Sequence, residues 1–183
     1  VESHGADTLR LYEMFMGPLE ADKPWSSNGL DGAKKFLDRV YRVFEEGKVT
    51  DAETPSLEKV YHQTVKKVTE DFESLNFNTA ISQMMIFINA VYKNDKISKE
   101  YAEGFIKLLN PIAPHMTEEI WQVYLNHDEC VANSTWPSYE LDKTKEDTHQ
   151  LVIQVNGKVR GKIDISNDLS DDEIKELALK EDN

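Results

Sequence analysis

Apolar residues recur every three or four positions through roughly the first 125 residues, the period of helices that each bury one face. Leu57, Val60, Tyr61, Thr64, Val65, Val68 and Phe72 form one stripe, with Thr54 placed to cap its helix and Pro55 at the first helical position, where a missing N–H is harmless. A second stripe follows after a short loop: Ala80, Ile81, Met84, Met85, Ile88, Val91 and Tyr92. Two such neighbours are expected to pack as an antiparallel pair. Upstream, Leu30, Ala33, Leu37, Val40 and Phe44 define the buried face of a helix over Leu30 to Phe44. Downstream, Ser98 caps a helix carrying Ala102, Phe105, Ile106 and Leu109. Pro111 and Pro114 interrupt it before a short helix through Ile120, Trp121 and Tyr124.

After a polar stretch from Asp142 to Thr148 the period changes from helical to alternating. LVIQV, then Asn156–Gly157, then KVRGKIDI, predicts a hairpin, because Asn-Gly supplies the two positive φ angles of a type I′ turn. SDDE at Ser170 to Glu173 forms a capping box ahead of Ile174, Leu177 and Ala178, so a further helix is expected. The fold class predicted is therefore mainly α, an antiparallel helical bundle followed by a small α+β segment of one hairpin and one helix. The boundaries expected are a linking segment at 1–28, the bundle at 29–141, a linker at 142–149 and an incomplete α+β domain at 150–183.

Charge complicates the search for a partner. The chain of 183 residues has a net charge of −13, whereas nucleic-acid binding draws most of its affinity from Lys and Arg neutralising phosphates. Residues 1–149 hold 16 basic against 26 acidic side chains and residues 150–183 hold 5 against 8, so any RNA contact must come from local clustering. One cysteine, Cys130, excludes an intrachain disulfide and CxxC metal motifs, which fits a reducing, cytoplasmic setting. No apolar run reaches membrane-spanning length, so no membrane partner is expected.

Two cationic groups stand out. Lys35, Arg39 and Arg42 fall together on the side of their helix opposite the Leu30–Phe44 stripe. Lys158, Arg160 and Lys162 alternate with Val159, Gly161 and Ile163, which predicts one charged strand face. Either trio can line an RNA backbone. On the residues alone, a solvated helix face diluted by Asp38 and Glu45, and a hairpin face kept charged against edge pairing, account for them as well. No catalytic group is expected. The five histidines are scattered without the i, i+4 spacing of a helical zinc site, His115 with Glu118 and Glu119 reads as structural, and the glycines form no phosphate loop.

Six segments carry a resemblance to a known family. GADTLRLYEMFMGPLE at Gly5 to Glu20 and WSSNGLDGAKKFLDRV at Trp25 to Val40 resemble the stretch after the KMSKS loop of bacterial leucyl-tRNA synthetases. LLNPIAPHMTEEIWQ at Leu108 to Gln122 resembles the bundle signature shared by the leucine, isoleucine and valine enzymes. FNTAISQMMIFIN and Trp136–Pro137 then occur in the order of the leucine enzyme, and VNGKVRG resembles the opening of its C-terminal domain.

The resemblance implies the tRNA-binding C-terminal region of such an enzyme, in which a catalytic domain absent from this chain joins leucine to leucine tRNA. It implies tRNA contacts at Lys35 and Arg39, with Lys35 standing where the family has arginine. It also implies contacts to tRNA backbone and shape, because the leucine family largely leaves the anticodon unread. No cofactor is expected in this segment, ATP and Mg belong to the intact enzyme, and the partners expected are leucine tRNA and the remaining domains of a monomeric enzyme. The alternative is an acidic helical protein-interaction module, which explains the charge but leaves the order of the motifs as coincidence.

Overall fold

The computed structural model describes residues 4–22, 24–145, 148–155, 158–166 and 174–175. Its contacts divide the chain into two units, residues 1–144 and residues 145–183.

The first unit is helical. Helix α1 (Ala6–Phe15) is followed by α2 (Ser27–Glu45), α3 (Pro55–Glu73), α4 (Phe77–Asn94), α5 (Lys99–Leu109) and α6 (Pro114–Glu119), whose chain continues as a π-helical turn, Ile120–Tyr124. Strand β1 (Val49–Thr50) after α2 pairs in parallel with β2 (Ile97–Ser98) after α4, Val49 opposite Ile97 and Thr50 opposite Ser98. Helices α3 and α4 pack antiparallel, as the two stripes require: Phe72 meets Phe77 at 5.3 Å between rings, Gln83 donates to the Thr64 hydroxyl, and Ser56 bonds Asn94. Both stripes point into one core, where Val65, Val68, Ala80, Ile81, Met84, Phe87, Ile88 and Val91 are buried together with Phe105, Ile106, Leu108 and Leu109 of α5. Burial of a side chain of this size contributes roughly 1.5–3 kcal/mol. The core is therefore what holds these helices, which propensity alone would leave marginal.

The expected linking segment contributes to the same core. Leu11 and Tyr12 of α1 are buried, and the Tyr12 ring lies so close over α2 that a Cβ on Gly29 would sit 2.7 Å from it. Helix α1 also organises the two-proline break. The Asp7 carboxylate accepts from the Met116 N–H at 2.7 Å, from the His115 N–H at 3.4 Å and contacts His115 Nδ1 at 2.7 Å. One helical turn further, Arg10 donates to the carbonyls of Ile112 and Pro111 at 3.0 and 2.9 Å. The unpaired N–H groups at the start of α6 are thus satisfied from a helix more than a hundred residues earlier. Neither His115 nor Thr117 caps α6. Thr117 is buried and bonds the Ala113 carbonyl and Asn110 instead.

Thr54 also departs from expectation. It precedes α3, yet its hydroxyl accepts from the Ser98 N–H at 3.2 Å and so ties α3 to β2 rather than capping its own helix. Ser98 caps α5 as expected, accepting from the Tyr101 N–H, and Ser26 caps α2 from one turn earlier than the predicted start.

In the second unit, β3 (Thr148–Val155) pairs antiparallel with β4 (Lys158–Ser166). The turn residues Asn156–Gly157, the capping box at Ser170–Glu173, and Leu177 and Ala178 lie outside the described residues. Ile174 and Lys175 are helical.

Candidate nucleic-acid interface

Helix α2 buries a broader face than the predicted stripe. Phe36 and Val43 join Ala33, Leu37, Val40 and Phe44 in the core, while Leu30 is only half-buried. Widening the apolar arc moves its edge around the helix. Lys35 and Arg42 remain exposed on the outer strip, but Arg39 lies at the margin, half-buried against α4, and not directly opposite the core. Residues 35, 39 and 42 follow i, i+4, i+7 spacing, so the three still form one ridge along α2.

The three cations are held differently. The Arg39 guanidinium lies over the Tyr92 ring, its carbon 4.7 Å from the ring centroid, and donates to Asn89 Oδ1 at 2.9 Å. The Tyr92 hydroxyl in turn donates to the Arg39 carbonyl at 2.9 Å. Among the described residues, neither Lys35, Arg39 nor Arg42 forms an ion pair. Two neighbouring cations, Lys34 and Lys48, are paired. Lys34 takes the Asp38 carboxylate at 2.8 Å, so that acid is turned away from the ridge. Lys48 bonds Asp95 and lies 3.6 Å from Glu46, with its pKa raised by the Asp95 hydrogen bond and that of Asp95 lowered by the same contact. On the other flank, hydrogen bonds to Tyr124 and Glu119 hold the Tyr41 hydroxyl above the ordinary tyrosine range.

A cleft of about 300 Å³ lies elsewhere on the helical unit, lined in part by Glu58, His62, Glu100, Tyr101, Glu140 and Lys143. Lys143 bonds Glu140 at 2.7 Å and Glu58 at 2.9 Å, which pushes its pKa up. Glu140 is correspondingly lowered, chiefly by Lys143. Carboxylates dominate this lining, which repels a phosphate backbone. Among the described residues no group of three or more His, Cys, Asp or Glu side chains is arranged to hold a metal ion, and no helix is long and apolar enough to cross a membrane.

The second predicted trio lies on β4. Ile153 pairs with Gly161 and Gln154 with Val159, so a bulge leaves Arg160 without a direct partner on β3. Lys158 pairs with Val155 and Lys162 with Val152. The register shift thus falls within the run that carries the three cations, and the face their side chains share lies outside the described residues. The structure brings Lys35, Arg39 and Arg42 together along α2. Sequence reasoning missed Asn89 as a partner of the ridge and placed Tyr92 only in the core stripe. Tyrosine's polar tip on an otherwise apolar stripe was the available signal.

Comparison with known proteins gives this geometry a context. The family described as the anticodon-binding domain of tRNA ligase matches residues 56–176. Among solved structures, the chain is similar to a leucyl-tRNA synthetase of Agrobacterium radiobacter determined as a ternary complex with tRNA and LeuAMS, with a TM-score of 0.75 and 26% identity. The match covers 98% of this chain and 26% of that one, so the chain spans about a quarter of the length of that protein.

Proposed function

The chain belongs to the family of anticodon-binding domains of tRNA ligases, and on that footing we propose that it is the tRNA-binding part of a leucyl-tRNA synthetase. It grips leucine tRNA through backbone contacts and holds the acceptor end for a catalytic domain elsewhere in the enzyme. That domain uses ATP and Mg to activate leucine. The segment described has no catalytic role of its own, and the intact enzyme works as a cytoplasmic monomer. The observation that carries the reading is the ridge on α2: in a chain of net charge −13, Lys35, Arg39 and Arg42 share one strip without a carboxylate partner among the described residues. Unneutralised cations in line are what a phosphate backbone requires. The similarity to a tRNA-bound leucyl-tRNA synthetase supports the same partner. An acidic protein-interaction module accounts for neither.

Arg39→Ala in the intact enzyme tests the proposal. It is expected to weaken tRNA binding, to make the log–log salt dependence shallower by about one unit or less, and to leave leucine-dependent ATP–pyrophosphate exchange unchanged. Wild-type affinity and wild-type salt slope in this variant would return α2 to an ordinary solvated surface.

A further inference from the structure

We propose that Tyr92 is a positioning residue for the RNA contact, holding Arg39 in the orientation in which it meets a backbone phosphate; this rests on the tRNA-binding reading above. Arginine carries a long, rotamer-rich side chain, and a free one loses that freedom when it binds. Lys35 and Arg42 are exposed and bear that loss in full. Arg39 does not. One flat side of its guanidinium rests on the Tyr92 ring, and one of its five N–H donors is taken by Asn89, so the group is fixed in plane and in rotation. The remaining donors stay available for the two-pronged contact that a planar guanidinium makes with phosphate.

Tyr92 itself is anchored. Its hydroxyl donates to the backbone carbonyl of the same arginine, so the helix that carries the ring is tied to the residue the ring supports. A second cation, Lys48, lies 5.7 Å from the same ring, but its charge is already matched by Asp95 and Glu46. Of the two cations at this ring, Arg39 alone lacks a carboxylate among the described residues, and an incoming phosphate would supply one negative group to it. The half-buried position strengthens that exchange, because part of the water that screens an exposed pair is already excluded.

A role through Arg39 differs from a direct contact in a measurable way. Removing Arg39 removes a phosphate contact and lowers the salt slope. Removing the ring leaves the charge in place, so affinity falls while the slope is kept. The full chain is compared as wild type, Arg39→Ala, Tyr92→Phe, Tyr92→Leu, Asn89→Leu and the double variants Arg39→Ala/Tyr92→Leu and Arg39→Ala/Asn89→Leu. Affinity for a leucine tRNA transcript is measured at several salt concentrations, with thermal melting alongside.

Tyr92→Leu is expected to weaken binding about fivefold with the wild-type slope, and Tyr92→Phe, which keeps the ring, less than about twofold. Asn89→Leu, at an exposed position, is expected to weaken it about two- to threefold. On the Arg39→Ala background both Tyr92→Leu and Asn89→Leu are expected to have no further effect. If Tyr92→Leu lowers the melting temperature, the Asn89 cycle decides alone. Equal losses with and without Arg39 overturn the positioning role, as does wild-type binding by both Tyr92→Leu and Asn89→Leu. Wild-type binding by Arg39→Ala instead overturns the RNA reading of the ridge, and the proposal with it.

Discussion

The outer strip of α2 and the cleft lined by Glu58, Glu100, Glu140 and Lys143 are built from the same kinds of residue and settle their charges in opposite ways. In the cleft, Lys143 is shared between Glu140 and Glu58. On α2, Lys35, Arg39 and Arg42 share a strip from which Asp38 has been drawn off by Lys34. Net charge therefore says little about the partner of this chain. What matters is where pairing is left unfinished, since a cation already matched inside the protein gains less from a phosphate than an unmatched one. Under the proposed function, an acidic surface around the ridge on α2 also discourages RNA from settling on the wrong side.

The largest effect expected follows from reversing the ridge. Lys35→Glu and Arg42→Glu are both exposed and distant from the core, so each is expected to reduce tRNA affinity about tenfold or more at low salt, a hydrogen bond to a charged group being worth about 1.5–3 kcal/mol. Stability is expected to change by only about 0.5 kcal/mol. Lys99→Glu, which reverses an exposed cation lining the cleft, is expected to alter affinity less than about twofold. Filter binding or anisotropy at a fixed salt concentration separates them. Equal losses at all three positions would mean that RNA responds to overall charge and that the contrast between the two faces has no functional content.

Sequence made the helices legible because their information is local. The stripes of α3 and α4 and the Ser98 cap each lie within a few turns of chain, and a period of 3.6 is enough to find them. What was hidden is long-range. Asp7 caps α6 from α1, which explains why GADTLR and the APH segment belong together, yet nothing in either segment names the other as its partner. Thr54 had the right place for a helix cap and was claimed by Ser98 across the bundle. The ridge on α2 was legible as a strip, but the support of Arg39 by Tyr92 and Asn89 depends on how α2 meets α4. The hairpin is legible in its pairing, but the register shift between Ile153 and Gln154 leaves no mark in the alternating pattern.

A second prediction concerns the cleft side as packing rather than as a binding surface. Gly104 in α5 lies against Tyr61, and a Cβ there would stand 1.9 Å from the tyrosine hydroxyl. Tyr61 is only 4% exposed and stacks on Tyr101 with centroids 4.3 Å apart, so it has little room to withdraw. Two effects oppose each other in Gly104→Ala. Alanine favours the helix by about 0.5–1 kcal/mol, while overpacking costs about 1–3 kcal/mol. Overpacking is expected to win, giving a net destabilisation of about 1–2 kcal/mol in urea unfolding, with tRNA affinity of the folded protein unchanged. A stabilised variant would show that Tyr61 moves freely, and a loss of tRNA affinity would make the cleft face part of the RNA site.

The smallest effect expected is a pH dependence on the same side. His62 is 7% exposed, and its Nδ1 accepts from the Glu140 N–H at 3.1 Å. Gln63 donates to the Thr144 carbonyl one residue further along α3, so this histidine helps fasten the chain just after residue 139. Protonation would place an N–H where an acceptor is needed. Burial first, and then the charge of Lys143, hold the His62 pKa below its ordinary 6.5, against the opposing pull of Glu140, Glu58 and Glu100. With the folded value lowered, the unfolded chain takes up a proton first on acidification. The contribution is therefore complete above about pH 6.5 and declines as the pH falls below it, towards the folded value. Urea unfolding at about pH 7.5 and about pH 5.5 is expected to show a larger loss of stability for wild type than for His62→Gln, whose side chain does not titrate in that window. Equal losses in the two proteins would show that His62 accepts its proton as readily in the folded chain as in the unfolded one, and that the hydrogen bond to Glu140 does not depend on a neutral ring.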